Sequence, residues 1–388
     1  MNRRAPEILV TLVFGAMLLS AGAIELGNAW RRGERPQMFE LFARTPSVTH
    51  LRAYEARLET ESRLARWLRP WMQHAQFILL EDLGEKVVRG RDGWFFYRPG
   101  VESLTLRNPV GQHADDPVAA ILDFRDQLAA QGIRLIVMPA PNKESVYPEQ
   151  LTRRADEMPL GVGKTTRSVM KRLRSAGVEV LDLFELYRRA KSNGTQAPSS
   201  HLYLVQDSHW SPAGLELAAR AVAERLIERG WIERGDRDYV SDPAPTKRVG
   251  DVLRMLDVPR IEARIEPERM ASRQVMDAVT GEPYRDDPLA EVLVLGDSFL
   301  RVFQQDEPGA AGFIAHLARE LRQPVASIVN DGGASTLVRQ ELHRRPTLLT
   351  NKKVVVWEFV ERDLRFGVEG WQRVMLPTIP SPSARPVQ

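Results

Sequence analysis

Val292-Leu293-Val294-Leu295-Gly296-Asp297-Ser298-Phe299 is the stretch of this 388-residue chain from which its architecture is read. Four consecutive apolar residues read as a buried strand, Gly-Asp-Ser closes it with turn chemistry, and a helical segment follows. A serine at such a corner lies beyond the carboxyl end of a strand, where sites form in open α/β sheets. Its hydroxyl needs an imidazole to take its proton, and the imidazole needs a carboxylate to fix its tautomer. Upstream, Asp207-Ser208-His209-Trp210 offers both, because residues two apart in extended chain point to the same side. The two motifs spell a serine-nucleophile acyl-transfer site: Ser298 as nucleophile, His209 as general base, Asp207 as orienting acid.

These and nearby residues admit other readings. Asp207 and Ser208 are helix-capping types and Pro212 suits a first helical position, but a cap needs no histidine. Asp207 and His209 could ligate a metal, yet no further histidine or carboxylate lies at a supporting spacing, so no metal is expected. Gly161-Val162-Gly163-Lys164-Thr165-Thr166 imitates the end of a phosphate-binding loop, but Met158 stands at the leading glycine position and no strand runs into it.

Around the serine the chain alternates. Helices are expected at 117–131, 164–175 and 212–229, and strands at Leu135–Met138, Val178–Leu181, Val292–Leu295, Val325–Val329 and Val354–Trp357, with a polar, irregular insertion from about 230 to 288. Alternating strands and helices predict an α/β fold, a mostly parallel sheet with helices on both faces. Arg91-Asp92-Gly93-Trp94-Phe95-Phe96-Tyr97 reads as a turn entering an aromatic strand. Leu51, Tyr54, Leu58, Leu64 and Trp67 recur at near-helical spacing ahead of it.

Composition narrows the function classes. Lys and Arg number 54 against 51 Asp and Glu, net +3, with no dense basic block, so nucleic acid is not an expected partner. The absence of cysteine removes disulfides, thiolate catalysis and cysteine-ligated metals. Arg3 and Arg4 precede an uncharged apolar run from Ile8 to Ile24, the pattern of an export signal. At helical rise that run spans about 26 Å, just short of a hydrocarbon core, so a cleaved signal peptide and an uncleaved anchor both fit, the anchor being preferred. Either places the rest of the chain outside the cytoplasm.

Asp92-Gly93-Trp94, Pro141-Asn142-Lys143-Glu144-Ser145-Val146-Tyr147-Pro148, Asp207-Ser208-His209-Trp210, Gly296-Asp297-Ser298-Phe299 and Trp357-Glu358-Phe359-Val360-Glu361-Arg362-Asp363 occur in an order that resembles the AlgX/AlgJ-like alginate O-acetyltransferase family over roughly residues 36 to 365. The missing second glycine of a Gly-x-Ser-x-Gly elbow agrees, pointing to a flavodoxin-like, SGNH-hydrolase-like fold. The resemblance implies acetylation of a secreted polysaccharide, alginate or a related polymer, in the periplasm through an acetyl-serine, with no cofactor. It also implies a membrane-bound partner that hands over acetyl groups, since cytoplasmic acetyl-coenzyme A cannot reach a periplasmic serine. The shorter, membrane-anchored member is the nearer likeness. An acetyl esterase using the same triad and a non-catalytic polysaccharide-binding component are the alternatives.

The expected organisation is an export segment or inner-membrane anchor over 1–30, a helical lead-in over 31–90, the catalytic domain over 91–370 and a proline-rich tail over 371–388. Oxyanion donors are sought in the Ser298 region and in Asn330, Gly332 and Gly333 after a neighbouring strand. Lys143, Tyr147 and Trp210 are the candidates for a polysaccharide groove, as a cation for uronate carboxylates and rings for sugar faces.

Overall fold

The computed structural model of the chain describes residues 5–33, 47–53, 67, 83–105, 116–155, 163–193, 201–256, 258, 262–331, 333–366 and 370–377. Residues 1–84 with 257–264 form one unit and residues 85–256 with 265–388 a second. In the first, Ala5–Arg32 is a single helix ending on Arg31 and Arg32, which suit the negative end of its dipole. Among the described residues, no helix is long and apolar enough to cross a membrane. Of the expected lead-in, residues 48–53 are helical, whereas Tyr54, Leu58 and Leu64 lie outside the described residues.

The second unit opens with β1 (Val87–Arg89) and β2 (Phe95–Tyr97), an antiparallel pair. The turn between them passes through Asp92 and Gly93 at φ 50° and 82°, conformations that Asp and Gly tolerate best. The main sheet comprises β3 (Arg134–Ala140), β4 (Glu179–Val180), β9 (Val292–Gly296), β10 (Ala326–Val329) and β11 (Val354–Val360), in the order β10-β9-β11-β3-β4 and parallel throughout. Side-chain alternation divides the core. Ile136, Met138, Val292, Val294, Val354 and Val356 face one layer, where Pro212–Glu228 and Phe313–Leu321 pack. Leu135, Val137, Leu293, Leu295, Val355 and Trp357 face the other, against Pro117–Ala129, Lys164–Ser175 and Leu337–Arg344. Every residue of β9 and β11 is buried. At roughly 1.5–3 kcal/mol for each buried Val or Leu, this double layer fixes both strand ends firmly.

Three expectations need correction. The stretch 230–288 is not irregular: β5 (Tyr239–Pro243) pairs with β8 (Arg273–Asp277), and β6 (Thr246–Arg248) with β7 (Glu268–Met270), both antiparallel. These ribbons are half exposed, so they carry no run of apolar residues to announce them. The strand expected at Val178–Leu181 is only Glu179–Val180, at the sheet edge. The chain beyond 370 is not wholly tail. Trp371 is 2% exposed and packs edge-on to Phe359 at 5.1 Å between ring centres, while residues 378–388 lie outside the described residues.

Candidate active site

Ser298 opens the short helix Ser298–Arg301 directly after β9. Asp297 caps that helix, its Oδ1 accepting from the Phe299 amide at 2.8 Å. The strand must turn into helix without room for a side chain at Gly296, where a Cβ would lie 2.4 Å from Glu358 Oε2 and 2.6 Å from Leu300 Cδ1. Glu358, near the end of β11, accepts from the Asp297 amide at 3.1 Å. Burial and the Asp297 charge push the Glu358 carboxyl well above its ordinary range, and burial also raises Asp297, so the two carboxyls titrate as a pair.

His209, the expected base, arrives on Leu202–Ser211, a loop closed by an isolated bridge between Tyr203 and Trp210. His209 Nε2 is 2.8 Å from Ser298 Oγ, and His209 Nδ1 is 2.6 Å from Asp207 Oδ1, which also accepts the His209 main-chain N–H at 3.1 Å. The Asp-x-His spacing therefore does what extended-chain geometry requires. Ser211, not Asp207 or Ser208, caps Pro212–Glu228, its hydroxyl accepting from Gly214. Ser298 is half-buried, whereas Asp207 and His209 are buried.

The insertion completes this corner with groups that local spacing could not reveal. Arg248, at the end of β6, donates from Nε to Asp207 Oδ2 at 2.9 Å and from Nη1 to Asp306 Oδ2 at 2.7 Å. The Asp251 amide donates to Asp207 Oδ2 at 3.0 Å, and the Asp251 carboxylate accepts from the Ser208 amide at 2.7 Å and hydroxyl at 2.6 Å. Glu268, opposite Arg248 in the β6/β7 register, accepts the amides of Val205 at 2.9 Å and Gln206 at 3.1 Å. Burial alone would raise Asp207, but the His209 and Arg248 charges and their hydrogen bonds hold it well below the usual carboxylate range. Burial would lower His209; Asp207 first, then Asp251 and Asp297, outweigh it and raise the imidazole.

Asp207, His209 and Asp251 present ligand atoms within 4.8 Å of one another, a cluster that spacing alone had not suggested. Their atoms are already engaged, Asp207 by Arg248 and His209, Asp251 by Ser208. This is the pattern of an anchored acid–base pair rather than of a set of free metal donors.

The remaining expectations divide differently. Lys143 is not a groove residue: at 2% exposure it donates to the carbonyls of Phe95, Val205 and Asp207 at 2.7, 2.8 and 3.0 Å. Burial pushes its ammonium down to about 8. Tyr147 is likewise buried, its hydroxyl accepting from the Leu202 amide at 2.8 Å and its ring 4.7 Å from that of Trp94. Trp210 is fully buried and donates to the Phe299 carbonyl at 3.0 Å. All three build the floor beneath the site. Among the loop amides, that of Asn330 is engaged by the Gly296 carbonyl at 3.0 Å and that of Gly333 by Asn330 at 3.2 Å, so neither main-chain N–H is an oxyanion donor; Gly332 lies outside the described residues. The Ser298 amide, at the open first turn of its helix, remains the candidate donor.

A parallel sheet carrying a serine at a strand end, with a histidine and aspartate bonded in line behind it, defines a serine acyl-transfer enzyme of the SGNH-hydrolase-like class. Residues 87–361 match the family ALGX, described as an SGNH hydrolase-like domain, acetyltransferase AlgX, and the chain belongs to that family. It is 25% identical over 373 residues to a probable alginate O-acetylase AlgJ of Pseudomonas syringae pv. tomato, covering 93% of this chain and 89% of that one. To the Pseudomonas putida protein of the same name it is 26% identical, covering 93% and 90%. The solved O-acetyltransferase domain of Pseudomonas putida AlgJ shares the fold at a TM-score of 0.55 and 24% identity, over 72% of this chain and 91% of that domain.

Proposed function

We propose that this chain O-acetylates a secreted polysaccharide, alginate or a related polymer, by way of an acetyl-Ser298 intermediate. The observation that carries the reading is the 2.8 Å contact between His209 Nε2 and Ser298 Oγ, in a chain whose relatives are named alginate O-acetylases. His209 takes the Ser298 proton as the oxygen attacks the donor carbonyl, and the imidazolium returns that proton to the leaving group. The Asp207 carboxylate stabilises the imidazolium throughout. A sugar hydroxyl then loses its proton to His209, attacks the acetyl carbon and leaves with the acetyl group, restoring Ser298.

The proposed setting is the periplasm, with residues 8–24 holding the chain at the inner membrane and a membrane protein supplying the acetyl group. Arg3 and Arg4 ahead of the apolar run support that orientation. Acetyl-ester hydrolysis by the same residues is the second reading, favoured by the partial solvent exposure of Ser298. Intact-mass measurement of the full-length protein after exposure to an activated acetyl ester, with oligosaccharides added in parallel, separates the two. A Ser298-dependent acetyl adduct discharged onto sugar supports transfer, discharge onto water alone supports the esterase, and no adduct in either case sinks both.

A further inference from the structure

Most cations at the carboxyl edge of the sheet are engaged. Lys143 is held by three carbonyls, Arg248 by Asp207 and Asp306, and Arg301 by Asp306 and Asp331. Arg362 differs. It follows the end of β11, the strand beside β9, and its main-chain N–H donates to Asn142 Oδ1 at 3.3 Å. Its guanidinium lies over the Tyr97 ring, 5.2 Å from the centroid. Among the described residues, neither that guanidinium nor the Tyr97 hydroxyl meets a hydrogen-bond or ion-pair partner. Both residues are half-buried, and burial is the largest single influence on the Arg362 charge.

The charge also sits close to the chemistry. Against burial, Arg362 is the foremost influence lowering the Asp297 carboxyl, and Asp297 immediately precedes the nucleophile. The acids that act on Arg362 are Asp363, Asp297 and Glu144. None of them forms an ion pair with it, Asp297 caps the Ser298 helix, and burial holds the Glu144 carboxyl up at about 7. Five N–H donors with no acceptor among the described residues, stacked on an aromatic face, are a poor arrangement for stability and a good one for recognition. The planar fork matches a carboxylate bidentately, and the neighbouring ring offers a surface to a pyranose.

We propose that Arg362, backed by Tyr97, is the subsite that binds the carboxylate of a uronate ring in the acceptor, holding that sugar beside Ser298. The proposal rests on the acetyl-transfer reading for the ligand's role as acceptor, not for its binding. It is tested by calorimetric titration of full-length Ser298→Ala protein in detergent with a defined oligouronate and with the same oligosaccharide after its carboxyls are reduced to alcohols. The expected result is a preference for the charged form of about tenfold or more, falling close to one in Arg362→Gln and intermediate in Arg362→Lys. No preference in the parent, or one that Arg362→Gln leaves intact, overturns the subsite. If Arg362→Gln fails to fold by circular dichroism, Arg362→Lys decides, and a preference equal to the parent's overturns the proposal. Turnover with Ser298 intact is read separately. Arg362-dependent uronate binding without acetyl transfer sinks the transferase reading and leaves the subsite standing.

Discussion

Arg248 donates to Asp207 through Oδ2, at 2.9 Å, the carboxylate oxygen that His209 does not use. The Asp207 carboxylate is therefore gripped from both sides, by the imidazole that it raises and by a guanidinium of positive charge. Removing the acid, in Asp207→Asn, takes away the largest influence opposing burial and leaves only Asp251 and Asp297 against it. The acid limb of the acylation rate should then move to lower pH while the maximal rate falls about 10⁴-fold. Arg248→Gln removes a positive charge near the imidazole, so its limb should move to higher pH. Stopped-flow acylation by an acetyl ester across pH checks the pair, and limbs that move in the same direction contradict the assignment.

Lys143 predicts a stability effect rather than a binding effect. Its ammonium titrates near 8 in the folded chain against 10.5 in the unfolded one. Between those values the unfolded state binds more protons, so this group's contribution to stability rises as pH rises through the window. Lys143→Met should abolish that slope and, by leaving three carbonyls without a donor, cost about 3 kcal/mol or more at neutral pH. Denaturant unfolding at pH 7 and pH 9.5 measures both quantities.

Gly250 is the hinge of the Asp207 grip. A Cβ there would stand 2.0 Å from the Gln206 carbonyl oxygen and 2.6 Å from the Asp207 nitrogen, main-chain atoms that cannot swing aside. Gly250→Ala should displace the acid and lower acylation about 100-fold, since misplacement by an ångström has that scale of effect. Gly281→Ala, at φ +71° in open space, should cost only about 1 kcal/mol and spare the rate. Equal rates in the two variants would refute this.

Burial and the Asp297 charge favour the protonated form of Glu358 beneath the turn that carries Ser298. Because its folded pKa is raised, its contribution to stability is full below the ordinary carboxylate range and is lost as pH climbs toward the raised value. Glu358→Gln keeps an acceptor for the Asp297 amide and carries no charge. It should melt within about 1 kcal/mol of the parent at pH 5 and lose less stability than the parent at pH 8, as thermal unfolding would reveal.

What the sequence disclosed follows from what is local. The Ser298 corner was legible because strand, turn and helix are contiguous, and the Asp207–His209 contact because two residues in extended chain decide it. Arg248, Asp251 and Glu268 were not, because they act across 41, 44 and 63 positions, the first and last from short half-exposed ribbons and Asp251 from the start of the four-residue helix Asp251–Arg254, none with apolar periodicity. Lys143 misled for the same reason: a lysine after a strand reads as exposed until the Phe95 and Val205 carbonyls close over it. The aromatic residues Tyr147 and Trp210 were equally ambiguous, since a ring that stacks on sugar and one that packs in a core look alike in a sequence.

The residues next to the base and the nucleophile are themselves joined. Trp210 donates to the Phe299 carbonyl at 3.0 Å, and the Phe299 ring lies 4.8 Å from that of His209 and 5.1 Å from that of Trp210. His209 and Ser298 thus ride on one welded joint, and pulling them apart would mean tearing open the interior. Idle and working enzyme should hold the same spacing between proton donor and acceptor. Control over when the serine reacts then has to come from what is admitted to it, the incoming acetyl group and the arriving sugar, and not from a catalytic pair that is assembled and taken apart.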